Sequence, residues 1–131
     1  MSQENVEILR RAVDHMNKTG DLDWSLYDPE IMFTTRGDIE SRTTFTGHEG
    51  LRYAMSGFAG VWESVRWEVQ DVIGTGDPFV AVVHFYLRGK GSGAEVETDE
   101  AWAIWMRDGK FTRIEQHASK RDALEAAGLR E

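Results

Sequence analysis

Cysteine is absent from the 131 residues of this chain, and no long apolar run occurs in it. The first absence excludes disulfide bridges, thiolate metal ligands and a cysteine nucleophile. The second argues against a membrane-spanning helix, which requires roughly 18 or more consecutive apolar residues. The polar N-terminus also lacks the basic start and apolar stretch of a secretory signal. We therefore expect a cytoplasmic protein without a membrane partner.

Basic residues are scarce as well, with 15 of them against 23 acidic residues and a net charge of −8. Nucleic-acid binding rests on basic patches that neutralise phosphates, so nucleic acid is not an expected partner. The four histidines lie on separate segments without metal-ligand spacing, and no metal site is predicted. The glycine-rich residues 89–93 join two predicted strands and do not open a helix, unlike a phosphate-binding loop. No cofactor is predicted.

Proline occurs only at Pro29 and Pro78, each after an aspartate, and both sites are predicted as turns. Hydrophobic periodicity between such breaks places helices first, then a run of strands, then one short helix. This order indicates a single α+β domain over residues 1–131. The predicted helices cover residues 3–18 and 22–27, a helix from Gly47 with Leu51, Met55 and Phe58 on its inner face, and a last helix capped by Ser119 with Gly128 at its end. The predicted strands cover 31–35, 65–74 with a bulge near Val72, 79–88, 96–106 and 111–118.

The strand over residues 79–88 has two unequal faces. In a strand, alternate side chains point to opposite faces of the sheet. One set is entirely apolar and is expected to face the helices and the core, whereas the alternate set, which includes His84 and Tyr86, is mixed. The apolar set is Phe79, Ala81, Val83, Phe85 and Leu87.

The hairpin at residues 107–110 admits two registers. A two-residue turn pairs Met106 with Phe111, whereas a three-residue loop with Gly109 in the left-handed conformation pairs Met106 with Lys110. We favour the second; a slip of one residue would reverse every face. It places Glu100, Trp102, Ile104, Thr112, Ile114, Gln116 and Ala118 on the inner face, and Asp99, Trp105, Arg107, Arg113, Glu115 and His117 on the outer face.

Glu100 and Gln116 are the polar candidates for catalysis on this inner surface. An apolar cavity with a few convergent polar groups is the usual anatomy of a small-molecule site. Burial disfavours the charged form of a glutamate, which would suit Glu100 to proton transfer. The alternatives are that Glu100 is hydrated at an open mouth and that Gln116 satisfies a backbone group. The expected pocket walls are Val13, Phe33, Phe58, Trp62, Trp67, Val83, Phe85, Trp102, Ile104 and Ile114.

The outer face carries a second group of candidates. His84 has a free pKa near neutrality, yet its neighbours on this face favour a subunit contact over catalysis. The outward Trp105 is also better explained by an interface. His15 and His48 are expected on solvent-facing helix surfaces.

Along nearly the whole chain, in a familiar order and spacing, lie the short motifs SQENVEI at 2–8, GDLD at 20–23, DP at 28–29, TGHEG at 46–50, RDGK at 107–110 and DALEAAGL at 122–129. They resemble the SnoaL-like branch of the nuclear-transport-factor-two-like superfamily, which includes polyketide cyclases and ketosteroid isomerases. The resemblance implies a curved antiparallel sheet with N-terminal helices packed on its concave face, which together form a cone with one internal pocket. It also implies a homodimer through the outer sheet face, here with His84, Tyr86, Trp105, Arg113 and His117.

The catalytic residues of those relatives are not matched. The resemblance aligns the tyrosine, aspartate base and second acid of the isomerases with Val13, Phe33 and Trp102. It aligns the histidine and aspartate of the cyclases with Trp102 and Gln116, and none of these side chains is a good general acid or base.

Two functions stay open. One is a cofactor-free isomerase, cyclase or hydrolase that acts on a hydrophobic carbonyl compound through Glu100 and Gln116. The other is a non-catalytic or accessory protein that binds a small apolar molecule in the same pocket. A pure dimerisation module, the third class, would require a filled pocket.

Overall fold

A curved, unclosed sheet of six strands forms the framework. The computed structural model describes residues 2–36, 42–74 and 76–129. The strands lie in the order β2-β1-β6-β5-β4-β3. In chain order the elements are α1 Ser2–Thr19, a short 3-10 helix Trp24–Leu26, β1 Tyr27–Thr34, β2 Thr44–Thr46, α2 Gly47–Val61, β3 Trp62–Ile73, β4 Phe79–Gly89, β5 Glu95–Arg107, β6 Lys110–His117 and α3 Lys120–Ala127.

The α+β class is confirmed, with one refinement of the sheet. Strands β3 to β6 form an antiparallel meander, and β1 pairs with β2 in the antiparallel sense. Strand β1, however, runs parallel to β6. The sheet is therefore mixed, because the last strand of the meander returns beside the first strand of the chain.

The region around Pro29 differs from the sequence prediction. The expected helix over 22–27 is only a 3-10 turn, and β1 already begins at Tyr27 and runs through Pro29. Proline has no N–H to donate to a ladder and is confined to unpaired or irregular strand positions. Here it lies between Tyr27 and Met32, where the pairing of β1 with β6 shifts register. The strand tolerates Pro29 for that reason, and the predicted turn is wrong.

Strand β4 divides the apolar residues between two sides of the sheet. The predicted inward set is buried in the main core. The apolar residues of α1 that pack in the same core are Leu9, Ala12, Val13 and Met16. On the opposite side, Val80 packs with Ala101 and Ala103 beneath Leu124 of α3. Helix α3 has the predicted ends, since the Ser119 side chain accepts a hydrogen bond from the Asp122 N–H and Gly128 is left-handed. One end of the outer sheet face is therefore covered by α3.

The last hairpin reaches the predicted faces by a different route. Its turn contains only two residues with positive φ, Asp108 and Gly109, and Met106 pairs with Phe111. The predicted three-residue loop is therefore wrong. A register shift between Met106 and Trp105 leaves Thr112 unpaired as a bulge. The two-residue turn has one unpaired residue fewer than the predicted loop, and the bulge at Thr112 restores that number. The residues beyond the bulge therefore keep their predicted sides of the sheet, and Trp102 lies opposite Gln116. Ala118 lies past the end of β6 and is exposed.

Strand β3 is an edge of the sheet, and α1 protects it. The Asn17 side chain donates to the Trp67 carbonyl oxygen at 2.8 Å and accepts from the Trp67 N–H at 2.9 Å. A single amide thus occupies both backbone groups that an adjacent strand would use. Further along β3, the pairing shifts between Val69 and Asp71, which confirms the bulge expected in this strand.

Candidate functional site

Two small cavities lie between the concave face of the sheet and α2. The main cavity has a volume of about 80 Å³, and a side void of about 30 Å³ shares Phe33, Met55, Trp67 and Gln116 with it. The interior is therefore largely filled by side chains but is not close-packed throughout. The main cavity is lined by Phe33, Thr35, Ala54, Met55, Phe58, Trp67, Phe85, Glu100 and Gln116.

The predicted wall residues fall into four groups. Four of them line the main cavity, namely Phe33, Phe58, Trp67 and Phe85, and Trp102 and Ile114 line the side void. Trp62 lines an outer groove instead. The remaining three are buried in the core and line neither cavity: Val13, Val83 and Ile104.

Glu100 lines the main cavity from β5 with only 13% of its side chain exposed. Its Oε1 accepts a hydrogen bond of 3.0 Å from the Trp102 indole N–H, and its Oε2 lies 3.9 Å from the Arg36 guanidinium. Burial raises the pKa of Glu100, and the Trp102 bond and the Arg36 charge offset only part of that rise. The carboxyl group is therefore mostly covered, in contrast to the hydrated alternative.

Gln116 and Trp67 contribute polar groups that the described residues leave without a hydrogen-bond partner. The Gln116 amide makes no hydrogen bond to any residue within the described ranges, so it does not satisfy a backbone group there. The Trp67 indole nitrogen is buried and likewise has no partner among those residues. Both side chains line both cavities.

Sequence reasoning missed four contributors to this site. Thr35, Ala54 and Met55 line the main cavity, although helical spacing had placed Met55 on the inner face of α2. Arg36 approaches Glu100 from the segment after β1. That segment is polar and has no periodicity, and its residues 37–41 lie outside the described ranges, so no signal pointed to Arg36.

An open groove lies outside the cavities, between the end of α1, α2 and β3. Its volume is about 470 Å³, and it shares Met55 and Phe58 with the main cavity. The Phe58 ring packs against Trp62 and Phe85, each at 6.4 Å between ring centroids. Met55 and Phe58 therefore form the wall between this outer groove and the main cavity.

The predicted interface residues all belong to the outer sheet face. His84 contacts the Asp99 and Glu97 carboxylates through its two ring nitrogens, and these hydrogen bonds, that of Asp99 first, raise its pKa. The Tyr86 hydroxyl donates to Glu68 at 3.1 Å. Nearer to α3, the Arg113 guanidinium stacks 4.7 Å from the Trp105 ring.

His117 is buried within the chain, as is Glu115 on the same face. Its Nε2 lies 3.2 Å from a Glu115 carboxylate oxygen, and its Nδ1 lies 3.2 Å from the Arg42 guanidinium. Both ring nitrogens thus have partners inside the same chain.

His48 is half-buried, in contrast to the predicted solvent-facing position. Its Nε2 lies 2.7 Å from the Tyr27 carbonyl oxygen, and its ring centroid lies 5.3 Å from that of Trp24. This contact ties the first turn of α2 to the start of β1. His15 is half-buried as well.

Within residues 2–36, 42–74 and 76–129, no group of three or more histidine or carboxylate side chains could hold a metal ion. The helices of these ranges are also too short or too polar to cross a membrane.

Comparison with known proteins supports the fold. The sequence model of the SnoaL-like domain matches residues 9–114, whereas no curated protein matches the sequence. A solved structure of TerC, co-crystallised with polyporic acid, has 20% identity and a TM-score of 0.77, with 95% of this chain and 98% of that chain covered.

Two further solved structures have the same architecture. An NTF2-like protein of unknown function from Burkholderia pseudomallei has 12% identity and a TM-score of 0.75, covering 93% of this chain and 95% of that one. A hypothetical protein with a ketosteroid isomerase-like fold from Catenulispora acidiphila, in complex with trimethylamine, has 17% identity and a TM-score of 0.72, covering 95% and 94%. At these identities the similarity shows the fold alone.

Proposed function

Because this chain belongs to the SnoaL-like domain family, we propose that its main cavity binds a small apolar carbonyl compound. We further propose that Glu100 moves a proton on that compound without a cofactor. The carboxyl group of Glu100, largely covered and facing an apolar cavity, is the observation that supports this role.

The proton transfer follows from the two polar side chains of the cavity. The Glu100 carboxylate would take a proton from the carbon beside the carbonyl group, and the electron pair of that C–H bond would move towards the carbonyl oxygen. The Gln116 amide is free to donate a hydrogen bond to that oxygen as it gains charge. A carboxyl group whose pKa is raised by burial is better matched to proton transfer near neutral pH.

Isomerisation is the reaction class that needs least from this site. One carboxyl group can take the proton and return it to a different carbon, so no second acid is required. A hydrolase would also need an activated water or a nucleophile, and among the described cavity-lining residues only Glu100 ionises in the ordinary pH range.

Non-catalytic binding is the second candidate, and one observation favours it. The positions aligned with the acid–base residues of the isomerases are Val13, Phe33 and Trp102, and all three are buried and carry no acid or base. In that case the same cavity would hold the ligand unchanged. The existence of a cavity with unused polar groups supports either candidate over a pure dimerisation module.

A deuterium-exchange assay separates the two candidates. Cyclopentanone and 2-cyclopentenone in D₂O would be followed by proton NMR with the wild-type protein, Glu100→Gln and, as a matched control, Glu63→Gln on exposed β3. We expect the wild type and the control to accelerate exchange beside the carbonyl, and Glu100→Gln to lose about 100-fold of that acceleration. Equal exchange in all three proteins would contradict the catalytic role, and binding without exchange would establish the second candidate.

We also propose that the protein is a homodimer through its outer sheet face and that it is cytoplasmic. The end of that face that lies away from α3 and is covered by no described helix carries His84 and Tyr86. A surface built of such polar and aromatic side chains is consistent with an interface.

A further inference from the structure

The indole N–H of Trp67 is a donor that the described chain leaves unused. Only 7% of the residue is exposed, and the indole nitrogen has no acceptor within the described ranges. Buried donors are nearly always satisfied in native proteins, and such a group retained beside a cavity points to an acceptor that enters the cavity. Trp67 lines both the main cavity and the side void.

The position of this donor is held from three directions. Asn17 binds both backbone groups of Trp67. The Trp67 ring meets Trp102 edge-on at 5.2 Å between centroids and lies 5.9 Å from Phe85. A donor held in this way loses little freedom when it binds, which is the requirement for preorganised recognition.

The indole N–H groups of Trp67 and Trp102 have different roles in the cavity. The Trp102 N–H is already engaged by Glu100, so it holds the carboxyl group and is not available to a ligand. The Trp67 N–H and the Gln116 amide remain as donors. Because Glu100 faces the same cavity, an anionic ligand would meet a like charge there, and a neutral ligand is favoured.

We propose that Trp67 is the specificity-determining residue of the main cavity, and that its indole N–H binds the oxygen of a small neutral ketone or aldehyde. This inference rests on the proposed function, since it names the group that recognises the carbonyl oxygen in that same site. Trp67 binds the oxygen while Glu100 remains beside the carbon skeleton.

The test compares two probes of equal ring size, cyclopentanone and cyclopentane, by ligand-detected NMR titration. Trp67→Phe keeps an aromatic ring but removes the N–H, and Trp105→Phe makes the same change on the outer face. We expect the wild type and Trp105→Phe to prefer the ketone, and Trp67→Phe to lose about 3- to 10-fold of that preference. A preference unchanged in Trp67→Phe would overturn the proposal, as would the binding of neither probe by the wild type.

A second measurement does not depend on how well the variant folds. The indole signal of Trp67 in a ¹H–¹⁵N spectrum of the wild type, assigned by its nuclear Overhauser contacts with the neighbouring Trp102 and Phe85 rings, should shift on addition of cyclopentanone and not of cyclopentane. If the N–H binds only a water molecule, the chemical shift of the indole signal should stay the same on addition of the ketone. That result would also overturn the proposal.

Failure of this inference is distinguishable from failure of the proposed catalysis. If Trp67→Phe loses the preference for the ketone but Glu100→Gln does not change the deuterium exchange, the recognition by Trp67 is supported and the catalytic role of Glu100 is contradicted. If Glu100→Gln slows the exchange but Trp67→Phe keeps the preference for the ketone, the catalytic role of Glu100 is supported and the proposal for Trp67 is contradicted.

Discussion

At the scale of single residues, the cavity places a titratable group where its charge is unfavourable. Glu100 is mostly covered, and burial raises its pKa despite the nearby Trp102 N–H and Arg36. A raised carboxyl pKa means that the folded state holds the proton more tightly than the unfolded state does. The associated stability is fully present below 4.5, the ordinary pKa of a glutamate, and is lost as the pH rises through the folded-state pKa.

The pH dependence of Glu100→Gln follows from that sign. Above pH 4.5, folding of the wild type must either bury the Glu100 charge or take up a proton. The glutamine variant does neither, while its amide oxygen can still accept from Trp102. We therefore expect a higher melting temperature for Glu100→Gln at pH 7, with the difference disappearing near pH 4. Thermal unfolding followed by circular dichroism across this range would measure it.

Glu63→Gln is the matched control, since Glu63 is exposed on β3. Its melting temperature should follow that of the wild type at both pH values. A stability difference for Glu100→Gln that was equal at pH 4 and pH 7 would contradict the assigned role of burial.

At the scale of elements, the link between α1 and β3 keeps the cavity wall in place. Strand β3 is long and lies at the sheet edge, and an exposed edge invites pairing with another chain. The two hydrogen bonds from Asn17 to Trp67 satisfy backbone groups at that edge. The same contact positions the Trp67 ring over the cavity.

Removing the Asn17 amide should therefore lower stability. We expect Asn17→Ala to reduce the free energy of unfolding by about 1–3 kcal/mol, because two backbone groups in a partly buried site lose their partner. Asn17→Asp keeps the acceptor for the Trp67 N–H and loses only the donor, so its stability should lie between those of the wild type and Asn17→Ala. Urea unfolding would measure all three proteins, and no loss of stability in Asn17→Ala would contradict this account.

At the scale of the whole molecule, the two faces of the sheet have different partners. The concave face holds the main core and the cavities. The convex face is covered by α3 at one end, over Val80, Ala101 and Ala103. The other end, around His84 and Tyr86, has no helix above it among the described elements.

The dimer proposal belongs to this uncovered end. Light scattering at micromolar concentration should give about twice the chain mass of 14.9 kDa for the wild type. Tyr86→Glu should shift the mass towards the monomer, because it would bury an unpaired charge in the interface. Arg121→Glu, on the exposed surface of α3, should leave the mass unchanged. A monomer mass for the wild type would contradict the proposal.

Local pattern alone determined much of the fold. The alternation of β4 identified the core face, and Ser119 and Gly128 marked the ends of α3, because periodicity and capping depend on residues close in sequence. The prediction that Glu100 and Gln116 share the inner face came from the register chosen for the last hairpin. Both line the main cavity, although the turn itself differs from the predicted one.

Only the tertiary structure decided the features that join distant residues. The parallel contact of β1 with β6, the bulge at Thr112, the approach of Arg36 to Glu100 and the anchoring of Trp67 by Asn17 have no local signature. Each depends on which groups the folded chain brings together, and a change of one residue in register would have reversed the faces. The amino-acid sequence thus placed an acid on the inner face of a sheet, whereas tertiary packing left the Trp67 N–H without a partner among the described residues.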